Sequence, residues 1–142
     1  MANRIKRSAG GLALQITKPA RQAGLVVEDN DGTATRRAET RVYGFDGLVL
    51  VVDSENVSMS HRAELVATAA GDTESIHRGG KATVEIAGNG YQIQLPGCRE
   101  AGFEEGDTAP VRSRDGILVI HDGRQSRLAG DLLTVRGAQV SS

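Results

Sequence analysis

The sequence has no tryptophan, one cysteine and three prolines in 142 residues, and its aromatics amount to 3%. The single cysteine, Cys98, excludes an internal disulfide and a Cys-based metal cage, which leads us to expect a reducing, cytoplasmic setting. With so few aromatics, the core has to be built from Val, Leu, Ile and Ala. No apolar run approaches the roughly 20 residues of a membrane helix, and the longest, Leu48 to Val52, has the length of a strand, so no membrane partner is expected. The basic stretch Met1 to Arg7 runs into Ser-Ala-Gly-Gly rather than an apolar segment, so no signal peptide is expected. His61, His77 and His121 lie in separate segments, without the spacing of a metal site. The stretches Ala9-Gly-Gly11 and Gly79-Gly80 lack the Gly-Lys-Ser/Thr ending of a phosphate loop and read as turns and a linker. No catalytic residue, metal or cofactor is therefore expected, and the reading is a non-enzyme.

What is present begins with glycine. Eighteen glycines favour turns and short strands, while 39% hydrophobic and 25% charged residues are ordinary for a folded domain. The net charge of −1 hides an uneven distribution: residues 1–27 carry Arg4, Lys6, Arg7, Lys18 and Arg21 and no acidic side chain. Such a segment on a mildly acidic body can attract a polyanion locally.

Three sequence blocks recur in order. Gly11-Leu-Ala-Leu-Gln-Ile16 matches Gly90-Tyr-Gln-Ile-Gln-Leu95 at an offset of 79. Ala20-Arg-Gln-Ala-Gly-Leu25 matches Cys98-Arg-Glu-Ala-Gly-Phe103 at 78, and Asp46-Gly-Leu-Val-Leu-Val-Val-Asp53 matches Asp115-Gly-Ile-Leu-Val-Ile-His-Asp122 at 69. We read residues 3–53 and 82–122 as two copies of one β-rich unit. In the second copy, Thr83 to Ile86 is a strand and Ala87-Gly-Asn-Gly90 a tight turn. Tyr91, Ile93 and Leu95 alternate with Gln92 and Gln94, and Pro96-Gly97 ends that strand. Cys98, aligned with Ala20, is a small packing residue at the start of a single helical turn, and Phe103 is a core anchor. Val111 to Arg114 and Ile117 to His121 form a hairpin around Asp115-Gly116. The first copy repeats this order, with a polar insertion at Asn30 to Thr40.

The connecting segment, 54–81, reads as part helical over His61 to Ala70, with Ser60 as N-cap and Gly71 as the stop. The C-terminal extension, 123–142, carries Leu128, Leu132, Leu133 and Val135 as a short amphipathic element, with Arg124, Arg127 and Arg136 as a second basic patch and a loose end after Gly137.

These motifs resemble the SpoVT–AbrB domain: Ile93-Gln-Leu-Pro96, Arg99-Glu-Ala-Gly-Phe103, Glu104-Glu-Gly-Asp107 and Asp115-Gly-Ile-Leu-Val-Ile120 follow that family's pattern over the second copy, and residues 5–52 follow it more loosely. The chain departs from it in a shorter helix after Pro96, in Thr17-Lys-Pro19 where the order of proline and lysine is inverted, and in Leu12 and Tyr91 after the turn glycines. The resemblance implies a mainly β fold in which two hairpin units interlock as a swapped-hairpin barrel with short helices, forming one core from Leu14, Ile16, Leu25, Leu48, Leu50, Ile93, Leu95, Phe103, Leu118 and Ile120. It also implies a DNA-binding transcription regulator, with double-stranded DNA contacted by Lys6, Arg7, Lys18, Arg21 and, in the second copy, Arg99. The first copy is then the reading half, because Glu85 and Glu100 stand opposite Lys6 and Gln22 in the alignment. A homo-oligomer is expected, with the segment after Asp122 available to a protein partner. The alternative is a structural or assembly protein that uses the same barrel as an interaction module, which the acidic second copy favours.

Overall fold

The alternation of Tyr91, Ile93 and Leu95 with glutamines, and the Asp-Gly turns, dictate short antiparallel strands, and these are the elements found. The computed structural model describes residues 2–8 and 11–134. In chain order they form β1 (Ala2–Ser8), β2 (Gly11–Gln15), α1 (Thr17–Ala23), β3 (Val26–Glu28), β4 (Ala34–Arg37), β5 (Glu39–Phe45), β6 (Leu48–Asp53), α2 (Met59–Thr73), β7 (His77–Thr83), β8 (Glu85–Ala87), β9 (Gly90–Gln94), β10 (Thr108–Arg114) and β11 (Ile117–His121), then a 3₁₀ turn (Gly123–Gln125) and α3 (Ser126–Thr134). The protein is mainly β.

Nine strands form one curled antiparallel sheet in the order β7-β5-β6-β11-β10-β1-β2-β9-β8, and β3 and β4 make a separate hairpin. The two end strands of that order, β7 and β8, are consecutive in the chain with Val84 alone between them. Residues 2–4 of β1 pair with β10 and residues 5–8 with β2, whereas β7 pairs with β5 and β8 with β9. The registers repeat. Leu50 faces Val119, an offset of 69, and Leu14 faces Ile93, an offset of 79. The pairs Thr108–Arg4 and Ala109–Asn3 have counterparts in Glu39–Thr83 and Thr40–Ala82. Loop hydrogen bonds follow suit: Gly47 N–H donates to the Ala101 carbonyl at 2.8 Å, and Gly116 N–H to the Ala23 carbonyl at 2.6 Å. The β10–β11 turn has Asp115 and Gly116 both at positive φ, 37° and 84°, which is the twist a two-residue hairpin requires.

The sheet buries both faces. Ile5, Leu14, Ile93, Leu95, Leu118 and Ile120 fill its concave side together with Phe103 and Cys98. Leu48, Leu50, Val52, Ile117 and Val119 point the other way, under Leu65 of α2 and Leu128 and Leu132 of α3. The ten expected core residues are all buried, but Leu48 and Leu50 belong to this second, outer core rather than to one shared interior. β6 is buried along its whole length because it has the first core on one side and two helices on the other.

Other expectations need correction. The N-cap of α2 is Ser58, whose hydroxyl accepts from His61 N–H at 3.1 Å, not Ser60. Gly71 does not stop the helix; it runs to Thr73, and Glu74 closes it in the left-handed conformation. Gly79-Gly80, read as a linker, lies inside β7, and the polar insertion folds as the β3–β4 hairpin. Residues 96–102 form turns, and the single helical turn expected from Cys98 to Ala101 is closed by one bond, Ala101 N–H to the Gly97 carbonyl at 3.1 Å, with Gly102 at φ 100° after it. Ala9 and Gly10, and Val135, Arg136 and the end after Gly137, lie outside the described residues.

Candidate nucleic-acid interface

Period-two geometry sorts the basic residues of β1 onto two faces. Lys6 stands opposite Ala13, which stands opposite Gln94; in the next row Gln15 stands opposite Gln92, and Gln92 opposite Glu85. Directly opposed residues share a face. This part of the sheet therefore carries Lys6, three glutamines and Glu85 on the side away from the concave core; Lys6 and Gln15 are exposed, Gln92, Gln94 and Glu85 are half-buried, and Ala13 is fully buried. Gln92 and Gln94 donate to the Glu85 carboxylate at 3.1 and 3.4 Å.

The five expected contacts do not converge. Arg7 is opposite Leu12, on the other face of β1 from Lys6, and its guanidinium meets Glu105 at 3.2 Å. Lys18 and Arg21 lie one turn apart on α1, both exposed. Arg21 donates to Glu28 at 2.7 and 3.1 Å and sits 5.8 Å from the centre of the Tyr91 ring, while the Tyr91 hydroxyl donates to Glu28 at 2.7 Å. The hydrogen bond from Arg21, seconded by that from Tyr91, holds the Glu28 carboxyl below its ordinary pKa, and Glu28 in turn raises that of the phenol. Arg99 is exposed in the turn after Pro96. Among the described residues, Lys6, Lys18 and Arg99 enter no ion pair.

The glutamine rows were missed because each glutamine reads, in sequence, only as the polar half of an alternating strand. Their signal was the parity they share with Lys6. Among the described residues, no three His, Cys, Asp or Glu side chains are grouped to hold a metal, and no helix is long and apolar enough to cross a membrane. In the comparisons with known proteins, no family model, curated protein or solved structure matches the chain.

Proposed function

We propose that the chain is a two-unit swapped-hairpin barrel of the SpoVT–AbrB kind that binds duplex DNA as a non-enzymatic regulator, with Lys6 and Lys18 as its main phosphate contacts. The two-unit reading draws support from the registers: strands related by the sequence offsets pair with one another about Leu14–Ile93 and Leu50–Val119, and each half lends its first strand to the other. The observation that carries the DNA reading is the polar row on which Lys6 lies, with Gln94 across Ala13 and with Gln15 and Gln92 in the next row; Lys18 is exposed on α1, which follows β2. Cations give sequence-independent affinity, and glutamine amides are suited to base edges. Arg21 contributes less, because Glu28 already holds its guanidinium through two hydrogen bonds, whereas the Arg7–Glu105 contact is more than half exposed on both sides and water screens it.

Fluorescence titration of a mixed-sequence duplex at several salt concentrations tests this. Two phosphate contacts give a slope of log affinity on log salt of about −1.8. Lys6→Ala with Lys18→Ala should flatten it by that amount and leave the melting curve unchanged. No duplex binding by the folded protein at low salt overturns the proposal. A stable oligomer without DNA then favours the assembly reading, to which the replacement of Lys6 by Glu85 in the second copy already leans.

A further inference from the structure

A cavity of about 430 Å3 lies between β7 and the turn after Pro96, bordered by Leu12, Lys81, Gln94, Pro96, Arg99 and Glu100. Its counterpart in the other half of the sheet contains a side chain. There the Thr17 hydroxyl rests against Gly90 and accepts the Tyr91 N–H at 3.0 Å. At the offset of 79, Tyr91 corresponds to Leu12 and Thr17 to Pro96, so the hydroxyl is lost. The Leu12 carbonyl accepts from Leu95 N–H at 2.9 Å, and in an antiparallel strand a residue's N–H and C=O point the same way. The Leu12 N–H is thus directed at the cavity, where Pro96 offers no side-chain acceptor.

The charges differ in the same sense. Arg21 is bound to Glu28, whereas its counterpart Arg99 enters no ion pair among the described residues. Lys81 meets Glu39 at 3.9 Å, with both side chains more than half exposed, a contact that water screens. Glu100 is the carboxylate on the rim. The wall is fixed by backbone contact: a Cβ on Gly79 would stand 2.7 Å from the Pro96 carbonyl carbon, and one on Gly44 would stand 2.7 Å from the Gly97 carbonyl oxygen. A wall held this closely needs little ordering on binding.

We propose that this cavity binds the phosphoryl group of a small phosphorylated molecule, with Arg99 and Lys81 as its counter-cations and the Leu12 N–H as a further donor. Arg99 and Lys81 bring two positive charges to the cavity against the rim carboxylate of Glu100, and a guanidinium fork pairs with two phosphoryl oxygens at once. The space exceeds what phosphate needs, and the half-buried Pro96 at its edge would take the organic remainder. The proposal is independent of the DNA reading, since neither Lys6 nor Lys18 borders the cavity.

The test is thermal melting and calorimetric titration of the full chain with inorganic phosphate, phenyl phosphate and sodium acetate, against sodium chloride of equal ionic strength. Both phosphates should raise the melting temperature above the chloride control, phenyl phosphate the more, and acetate should not. Lys81→Ala with Arg99→Ala, both surface positions, should weaken phosphate binding at least tenfold, and Lys6→Ala with Lys18→Ala should leave it unchanged. Pro96→Thr, which restores the missing hydroxyl, should weaken it as well. A response no greater than that to chloride, an equal response to acetate, or full binding by the folded Lys81→Ala, Arg99→Ala protein overturns the proposal.

Discussion

Asp53 is fully buried at the end of β6, and Arg36 from the β3–β4 hairpin holds both its oxygens at 3.0 and 2.9 Å while a second nitrogen donates to the Gly24 carbonyl. Arg36→Ala leaves that carboxylate with the Glu55 and Asn56 amides but no counter-charge. Breaking a buried pair in this way costs about 3 kcal/mol, at the lower end of the usual range because those amides remain, and urea unfolding would measure it. Glu28 governs part of the acid response. Its folded pKa is depressed below the ordinary 4.5, so its stabilising effect is complete above that value and is lost as pH falls through the lower folded pKa. Wild type should therefore lose more stability than Glu28→Gln as pH drops below 4.5, read from urea midpoints. Cys98 responds at the other extreme: burial pushes its thiol up to about 12, so it should resist a thiol reagent at neutral pH and react fully only in denaturant.

Among the elements, legibility follows the range of the interactions that hold them. β9 and the β10–β11 hairpin could be read directly, since alternation and an Asp-Gly turn are local signals. The β3–β4 hairpin could not, because β3 is only three residues long, β4 is largely polar, and the attachments are remote: Arg36 to Asp53, Arg37 to the Val84 carbonyl, and Glu28 to Tyr91. β7 defied its glycines for a related reason. Gly79 lies inside a strand because the Pro96 backbone presses against it, and no sequence rule reveals that neighbour. Gly79→Ala should displace the turn after Pro96 and destabilise the protein by about 1–3 kcal/mol, the usual effect of overpacking, as shown by the urea midpoint. In the candidate interface, grouping Lys6 with Arg7 ignored the strand period, which sets them on opposite faces of β1. The partner of Arg21 was hidden because Glu28 follows seven residues later, past the helix end, where i+4 reasoning does not reach.

At the scale of the whole molecule, stability and connectivity are the same question. Residues 2–4 of β1 pair with β10, and β7 pairs with β5, so neither half of the chain contains all the partners of its own first strand. The inner core mixes the halves as well: Ile5, Leu14 and Ile93 line up across β1, β2 and β9, and Leu118 and Ile120 of β11 close the same cluster. A fragment ending at Asp53 would expose Leu14 and Val51 to water and leave β2 and β6 as free edges, each lacking its ladder to β9 or β11. Loss of either half therefore removes hydrogen bonds and apolar burial from the other, which is the condition for one cooperative transition. Calorimetry of the full chain should give a single peak whose calorimetric and van't Hoff enthalpies agree, and the separate fragments 1–58 and 77–134 should show no sigmoidal melt. Leu14→Ala, at the centre of the β2–β9 register, should lower that one transition by about 2–5 kcal/mol without splitting it, because its cavity opens in a core that both halves share. Two resolved transitions in the wild-type chain, or a folded fragment, would show that the halves are independent despite the pairing of β1 with β10 and of β7 with β5.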